Sequence, residues 1–170
     1  MRQAGPGDVA AIAALHTMSW RSAYRGILAD RTLGPGLDAE RLAHWSVKLA
    51  GLQPRDVVLL IDGEGFIAVW DRPGDAHGAY IDNLHIHPER RGDGLGRRLL
   101  GTAMRRLAAQ DERRAHLHVF EANRRALAFY QRLGGEVIGR QEIEIDGHPA
   151  PELLVAWTDT AALATACGVP

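Results

Sequence analysis

A glycine-rich turn between an apolar strand and a helix constrains this chain more than any other segment. The strand is predicted over residues 79–86, and leucines at helical spacing begin at Leu95. Between these elements lie Gly92, Gly94 and Gly96. Glycine permits positive φ and close approach of a ligand, so successive backbone N–H groups can converge on a phosphate at a helix N-terminus. The pattern predicts a pyrophosphate site or, alternatively, only a tight strand-to-helix turn.

Two common phosphate motifs do not match this turn. A P-loop requires four residues between its glycines and then Gly-Lys-Ser/Thr, and a dinucleotide fingerprint requires a third glycine where this chain has Arg97. What remains is Arg91-x-x-Gly94-x-Gly96 after an apolar strand and a proline. This pattern resembles the acetyl-coenzyme A motif of the GCN5-related N-acetyltransferase (GNAT) family. The resemblance implies that the turn wraps the pyrophosphate of the coenzyme.

A second strand-to-helix unit carries further family landmarks. Residues 116–119 alternate like a strand, and Asn123 is a suitable N-cap for the next helix. Four residues then recur at helical spacing: Ala126, Phe129, Tyr130 and Leu133. Gly134, which follows them, can adopt the left-handed conformation that ends a helix. The second motif of the GNAT family has the same order, except that its usual aromatic residue after the glycine is Gly135 here. We interpret that departure as local repacking.

The resemblance also implies catalytic roles. Aminolysis of a thioester needs a neutral amine, a polarised carbonyl and protonation of the departing sulfur. In the family, the tyrosine matching Tyr130 donates that proton, and the backbone N–H matching Ile86 polarises the carbonyl. Asp82, on the strand before the turn, is the candidate general base, and strict alternation predicts that it shares a strand face with Tyr80 and Leu84. Two alternatives stay open: Tyr130 only packs in the core, and Asp82 is a surface carboxylate while water relays the proton.

Contacts to acetyl-CoA are expected from both motifs. Main-chain groups of residues 84–86 would pair with the pantetheine arm as an added strand. Arginines beside the turn, Arg91, Arg97 and Arg98, would meet phosphates. The complete expected set of coenzyme-binding residues is Leu84, His85, Ile86, Arg91, Gly92, Asp93, Gly94, Leu95, Gly96, Arg97, Asn123 and Tyr130.

The order of predicted elements extends the resemblance over residues 3–158. Helices are predicted over residues 8–18 and 37–49, with a second helix or a loop over 19–28. Strands are predicted over 57–61, 66–70, 79–86, 136–144 and 152–158, the last two joined by a turn at 146–149. The resemblance implies a mixed α+β GNAT fold, in which a central, mostly antiparallel sheet has splayed parallel central strands and is flanked by helices. We expect one acetyltransferase domain over residues 1–158 and a C-terminal tail over 159–170.

Composition narrows the classes of function. A net charge of −1 over 170 residues argues against a general binder of nucleic acid or anionic membranes, and no apolar run is long enough to span a bilayer. The single cysteine, Cys167, cannot form an internal disulfide and lies far in sequence from both motifs. We therefore expect a cytoplasmic enzyme that transfers the acetyl group directly within a ternary complex.

The sequence favours a small-molecule amine as the acceptor and leaves peptide amines open. Trp20, Tyr24, His44 and Trp45 are candidates for the acceptor pocket. Pairing of two copies into a homodimer also stays open.

Two other functions compete with acetyl transfer. A non-catalytic module could bind or sense acyl-CoA on the same fold. The second alternative is a metalloenzyme. Two histidine pairs, His85 with His87 and His116 with His118, are each spaced to project from one strand face, and four converging imidazoles could bind a metal ion. No acidic ligand or cysteine joins these pairs at a recognised spacing, so we expect no metal cofactor.

Overall fold

The computed structural model describes residues 1–168, which form one seven-stranded sheet and five α-helices. The helices are α1 (Val9–Ala23), α2 (Gly36–Ala50), α3 (Leu95–Ala108), α4 (Arg124–Arg132) and α5 (Thr160–Ala166). The strands are β1 (Arg2–Gln3), β2 (Val57–Ile61), β3 (Gly65–Trp70), β4 (Ala79–Ile86), β5 (Ala115–Phe120), β6 (Glu136–Ile145) and β7 (His148–Trp157).

The sheet is antiparallel except at its centre. Its strand order is β1-β2-β3-β4-β5-β7-β6, and only β4 and β5 run parallel. These two strands pair over two positions, Ala79 with Ala115 and Tyr80 with His116, and then diverge. The expected fold, with splayed parallel strands in a mostly antiparallel sheet, is confirmed. The divergence leaves one edge of β4 without a strand partner beyond Tyr80.

Two hydrophobic layers cover the sheet. On one face, α3 packs its apolar stripe against β2 to β5 and leaves its arginines outside; the buried members of this stripe are Leu95, Leu99, Leu100, Ala103, Met104 and Leu107. On the other face, α1 and α2 enclose a second cluster that contains Ile12, Trp45 and Phe66. Strands β2 and β3 alternate their side chains between these two layers. The site described below lies where the sheet opens between the layers.

A β-bulge in β4 changes which side chains share a face. Ala68 pairs with Asn83 and Val69 with Ile81, so Asp82 is the extra residue of the pair of strands. Tyr80 packs against the α1/α2 cluster, whereas Leu84 packs against the α3 cluster. The expectation from strict alternation that Asp82 shares a face with both residues is wrong, because the bulge shifts the alternation by one position.

Several predicted boundaries also differ. Helix α1 continues through Ala23, so the segment expected as a second helix or loop begins inside it. The final hairpin turns over Asp146 and Gly147, both at positive φ, and β7 begins at His148 rather than at Glu152. Prolines are tolerated in the first part of β7 because the described ladder with β5 begins only at Glu152. Pro151 uses its carbonyl on that side, accepting from the Glu121 N–H at 2.8 Å, and needs no N–H of its own there.

The segment expected as a C-terminal tail contains α5, which packs on α3. Leu163, Ala164 and Cys167 join the α3 cluster, and burial raises the pKa of the Cys167 thiol to about 11. Residues 169–170 of the expected tail lie outside the described residues. No helix within residues 1–168 is long and apolar enough to cross a bilayer.

Candidate active site

The divergence of β4 from β5 opens a cavity of about 720 Å³. Its wall is built from α1, α2, β4, β5, α4, the β6–β7 hairpin and the glycine turn before α3. Residues from both predicted motifs therefore line one space. One end of the cavity lies at the glycine turn and the other lies below α1.

The glycine turn ends at the start of α3 in the geometry that phosphate binding requires. Gly92 and Gly94 have φ of 109° and 77°, and Gly94 is the residue before the helix. A Cβ built on either glycine would meet nothing within 4 Å, so both face open space. No side chain within residues 1–168 caps α3, which leaves its first-turn N–H groups available to an anion.

The open edge of β4 presents backbone groups to the cavity. The N–H of His87 donates to the carbonyl of Glu64, at the end of the β3 pairing. Because successive residues of an extended strand turn their N–H groups to opposite edges, the N–H of Ile86 faces the open edge. Leu84 and Ile86 both line the cavity. An extended thioester arm could pair with this edge as an added strand.

Tyr130 reaches the same cavity from α4. The helix begins at Asn123, whose side-chain oxygen accepts a hydrogen bond from the N–H of Ala126 at 3.2 Å, so the expected N-cap is confirmed. Burial is the main reason that the pKa of the Tyr130 phenol is raised, and the neighbouring Tyr24 adds to it. The phenol is therefore a protonated donor over the whole physiological range.

The missing aromatic residue of the second motif is replaced by Trp157. A Cβ on Gly135 would lie 2.7 Å from a ring carbon of Trp157 and 2.7 Å from Val155. The indole N–H of Trp157 donates to the carbonyl of Leu133 at 3.0 Å and fixes the end of α4. The interpretation of Gly135 as local repacking thus has a specific cause, which is the indole from β7.

Asp82 lies on the cavity wall with its carboxylate already engaged. It accepts a hydrogen bond from the indole N–H of Trp70 at 2.7 Å, and the ammonium of Lys48 lies 3.7 Å away. These two contacts orient the carboxylate toward α2 and β3. Its role as a general base was inferred from the resemblance and stays a prediction.

The basic residues beside the turn have protein partners. Arg91 donates to the Ser22 hydroxyl at 2.9 Å and lies 3.3 Å from the Ser19 hydroxyl, which connects the turn to α1. Arg97 donates to the carbonyl of Ala166 at 2.6 Å, at the end of α5. Arg90 pairs with Asp93 at 2.9 Å and also with Glu64. The sequence indicated that basic side chains lie beside the turn, but it did not indicate the tertiary contacts that they form.

The histidines of the two strands occupy separate surroundings. His85 is buried, contacts the Ser19 hydroxyl at 3.0 Å and stacks on His16, and burial lowers its pKa to about 3. His116 instead contacts the rings of Tyr80 and His118. No group of three metal-ligating side chains occurs within residues 1–168. The convergence of four imidazoles, on which the metalloenzyme alternative depended, is absent from this part of the chain.

The end of the cavity below α1 and α2 contains most of the candidate acceptor residues. Trp20, Tyr24 and His44 line it, whereas Trp45 is fully buried and donates its indole N–H to His16. The assignment of Trp45 to a pocket wall is wrong, because its apolar ring fills the core between α2 and the sheet. Sequence reasoning did not assign several other lining residues to this pocket, among them Tyr80, His118 and Glu152. The alternation of side chains along each strand showed which residues share a face of the sheet. It did not show which face borders a cavity.

Comparisons with known proteins agree with this geometry. A family model described as Acetyltransferase (GNAT) family matches residues 34–135. The peptidyl-lysine N-acetyltransferase YjaB of Escherichia coli strain K12 is 36% identical over 80 residues, which is 47% of this chain and 51% of that protein. The match thus spans about half the length of this curated relative.

Two solved structures share the fold over most of their length. One, described as a GCN5-related N-acetyltransferase from Rhodopseudomonas palustris, has a TM-score of 0.71 at 18% identity and covers 92% of this chain and 93% of its own. The other is the PaiA N-acetyltransferase from Thermoplasma acidophilum in complex with coenzyme A, with a TM-score of 0.67 at 19% identity, covering 89% and 95%.

Proposed function

This chain belongs to the acetyltransferase (GNAT) family, and on that premise we propose that it transfers the acetyl group of acetyl-CoA to an amine by direct attack in a ternary complex. The observation that carries the proposal is the single cavity shared by three features. These are the start of α3 with its glycine turn, the open edge of β4, and the Tyr130 side chain. Each supplies one requirement of thioester aminolysis.

Binding of the coenzyme follows from the first two features. The pyrophosphate of acetyl-CoA would be held by the turn from Arg91 to Gly96 and by the positive end of the α3 dipole. Its pantetheine arm would pair with the backbone of Leu84 and Ile86. The PaiA enzyme, described in complex with coenzyme A, supports this choice of ligand for the fold.

The chemical step needs three contributions from the chain. The N–H of Ile86 would stabilise the oxygen of the acetyl carbonyl as charge develops on it. The amine nitrogen forms a bond to the acetyl carbon and gives up a proton to Asp82 or to water, while the carbon–sulfur bond breaks. The departing thiolate takes the phenol proton of Tyr130. The Tyr130 phenolate then regains a proton from solvent. The raised pKa keeps that phenol protonated before each turnover.

A peptide lysine is the acceptor that the relatives favour. YjaB is described as a peptidyl-lysine N-acetyltransferase, but it matches this chain over about half of its length. We therefore propose a primary amine of the lysine type and keep small-molecule amines as the second acceptor class. We also propose a cytoplasmic location, because the only cysteine is a buried free thiol.

A thiol-release assay tests this function. Purified protein is mixed with acetyl-CoA and with Nα-acetyl-lysine amide, a diamine or a peptide with a free N-terminus, and release of free coenzyme A is followed. We expect release that depends on at least one amine. Tight binding of acetyl-CoA without release for any amine would instead support the non-catalytic acyl-CoA module, and absence of binding would refute both functions.

A further inference from the structure

We propose that Glu152 binds the ammonium group of the acceptor, and that this acceptor is a primary amine carried on an apolar stem. Bound there, the ammonium gives up one proton to solvent water, and the neutral amine that results attacks the thioester. The inference rests on the acetyl-transfer function proposed above and specifies its substrate class. Glu152 was not among the residues expected from either motif, since it lies in β7, outside both of them.

The position of Glu152 follows from the register of the sheet. It pairs with Phe120 at the end of β5, where that strand has already diverged from β4. Its neighbour Leu153 packs toward the α3 cluster, so alternation turns Glu152 to the opposite face, which α1 covers. There it lines the cavity together with Tyr24 and Tyr80.

The two carboxylates of this part of the cavity differ in their partners. Asp82 lies 3.7 Å from the Lys48 ammonium and also accepts the Trp70 N–H. Glu152 accepts a hydrogen bond from the neutral amide of Gln141 at 3.1 Å. Across residues 1–168 it forms no ion pair with a basic side chain. Arginines, among them Arg91 and Arg125, also line the cavity, but none of those described is paired with Glu152. This carboxylate is therefore available to a cationic acceptor and is a better ammonium site than Asp82, which has Lys48 beside it.

The negative charge of Glu152 also acts on the nearby phenols of Tyr24 and Tyr80. Burial raises the pKa of Tyr24 to about 12, with Glu152 as the next contribution. The pKa of Tyr80 is also raised to about 12, by burial, then by Asp82, then by Glu152. Glu152 therefore lies within electrostatic reach of both hydroxyls. Both phenols remain neutral, so they add hydrogen-bonding groups to the wall without competing for the acceptor's charge.

An apolar lining next to Glu152 defines the rest of the acceptor. Phe120 contacts Tyr24 edge-to-face at 5.1 Å, and Tyr24 contacts Trp20 at 5.2 Å. Ile143 and Ile145 of the β6–β7 hairpin pack in the same cluster and line the cavity. This surface would bury the methylene groups of a stem that ends in an amine. A lysine side chain and an alkyl diamine both have this form.

Charge removal at Glu152 gives a direct test. In Glu152→Gln, the amide keeps the shape and can still accept from Gln141, but the negative charge is lost. We expect the KM for Nα-acetyl-lysine amide to rise about tenfold or more, because charged hydrogen bonds are the strong ones. The dissociation constant of acetyl-CoA, measured by calorimetry, should change less than about twofold, since Glu152 lies in β7, outside both motifs that are proposed to hold the coenzyme. Glu152→Asp keeps the charge and should retain a KM within about threefold of the unchanged protein.

The matched control is Glu142→Gln. Glu142 is exposed on β6 next to Gln141, its side chain is on the opposite face, and it does not line the cavity. The Glu142→Gln variant loses the same charge as Glu152→Gln and should leave the KM for Nα-acetyl-lysine amide unchanged. Thermal melting of each variant establishes that it is folded.

Each outcome has a separate meaning. An unchanged KM in folded Glu152→Gln, or equal rises in the Gln and Asp variants, would overturn the role of Glu152 while leaving acetyl transfer intact. If Glu152→Gln does not fold, the Asp variant decides, because a KM more than about tenfold higher would then also overturn the role. Absence of amine-dependent thiol release by the unchanged protein would overturn both proposals together.

Discussion

Substitution of Gly135 by alanine tests whether the indole of Trp157 fixes the end of α4. The added Cβ would lie 2.7 Å from Trp157 Cζ2, 2.7 Å from Val155 Cγ1 and 3.0 Å from Trp157 Cε2. Both neighbours are buried, and Trp157 is also held by its hydrogen bond to the Leu133 carbonyl. None of these atoms is the far end of a flexible side chain, so the backbone or the ring must shift.

The expected magnitude follows from the cost of overpacking a core. Extra carbon atoms in a well-packed core cost roughly 1–3 kcal/mol. At about 2–4 °C per kcal/mol for a chain of this size, Gly135→Ala should lower Tm by roughly 2–12 °C. Loss of glycine also restricts the unfolded chain and stabilises the fold by about 0.4–1 kcal/mol, which offsets part of this decrease.

Gly139→Ala is the matched control for that offset. Gly139 lies in β6, without a positive φ, and a Cβ there would meet Leu154 at 3.6 Å and 3.7 Å, which is ordinary contact. Its unfolded-state effect is the same, so the difference between the two variants isolates the contact with Trp157 and Val155. Differential scanning fluorimetry measures both Tm values. If the two variants melt within about 1 °C of each other, the core around Gly135 absorbs a methyl group and the reasoning fails.

Three other outcomes are expected. Tyr130→Phe should lower kcat by about 100-fold or more in the thiol-release assay, as for loss of a general acid, and should weaken acetyl-CoA binding far less when measured by calorimetry. An unchanged kcat would remove the acid role. Gly94→Val should weaken acetyl-CoA binding by about tenfold or more, because φ is 77° there and the side chain would enter the open space. Gly63→Val is its matched control, because Gly63 has a φ of 71°, faces open space and does not line the cavity; this variant should bind acetyl-CoA within about threefold of the unchanged protein. Finally, burial lowers the pKa of His85 to about 3, so the unfolded chain binds the proton first as the pH falls below the ordinary histidine value. Unfolding free energy should then decrease by up to about 1.4 kcal/mol per pH unit and per such histidine between about pH 6.5 and pH 3. Urea midpoints that stay constant from about pH 7 to about pH 5 would contradict this.

The local elements of the site were determined by the sequence. The glycine turn, the N-cap at Asn123 and the leucine stripe of α3 depend on residues close together in the chain, so backbone conformation and helical spacing can be deduced from them. The family was identified from the resemblance of the same two motifs, and the family model that matches residues 34–135 confirms it. The fold class came with the family.

Contacts between distant segments were decided by the tertiary structure alone. The bulge at Asp82 depends on pairing with β3, and it reverses the faces that alternation assigns on either side of it. Arg91 bonds to α1 and Trp157 fills the space beside Gly135, although neither partner is near in sequence. Glu152 reaches the cavity only because β7 pairs with β5 where β5 leaves β4. A sequence specifies local periodicity strongly, but the face and neighbour that each side chain meets depend on register and packing summed over the whole sheet.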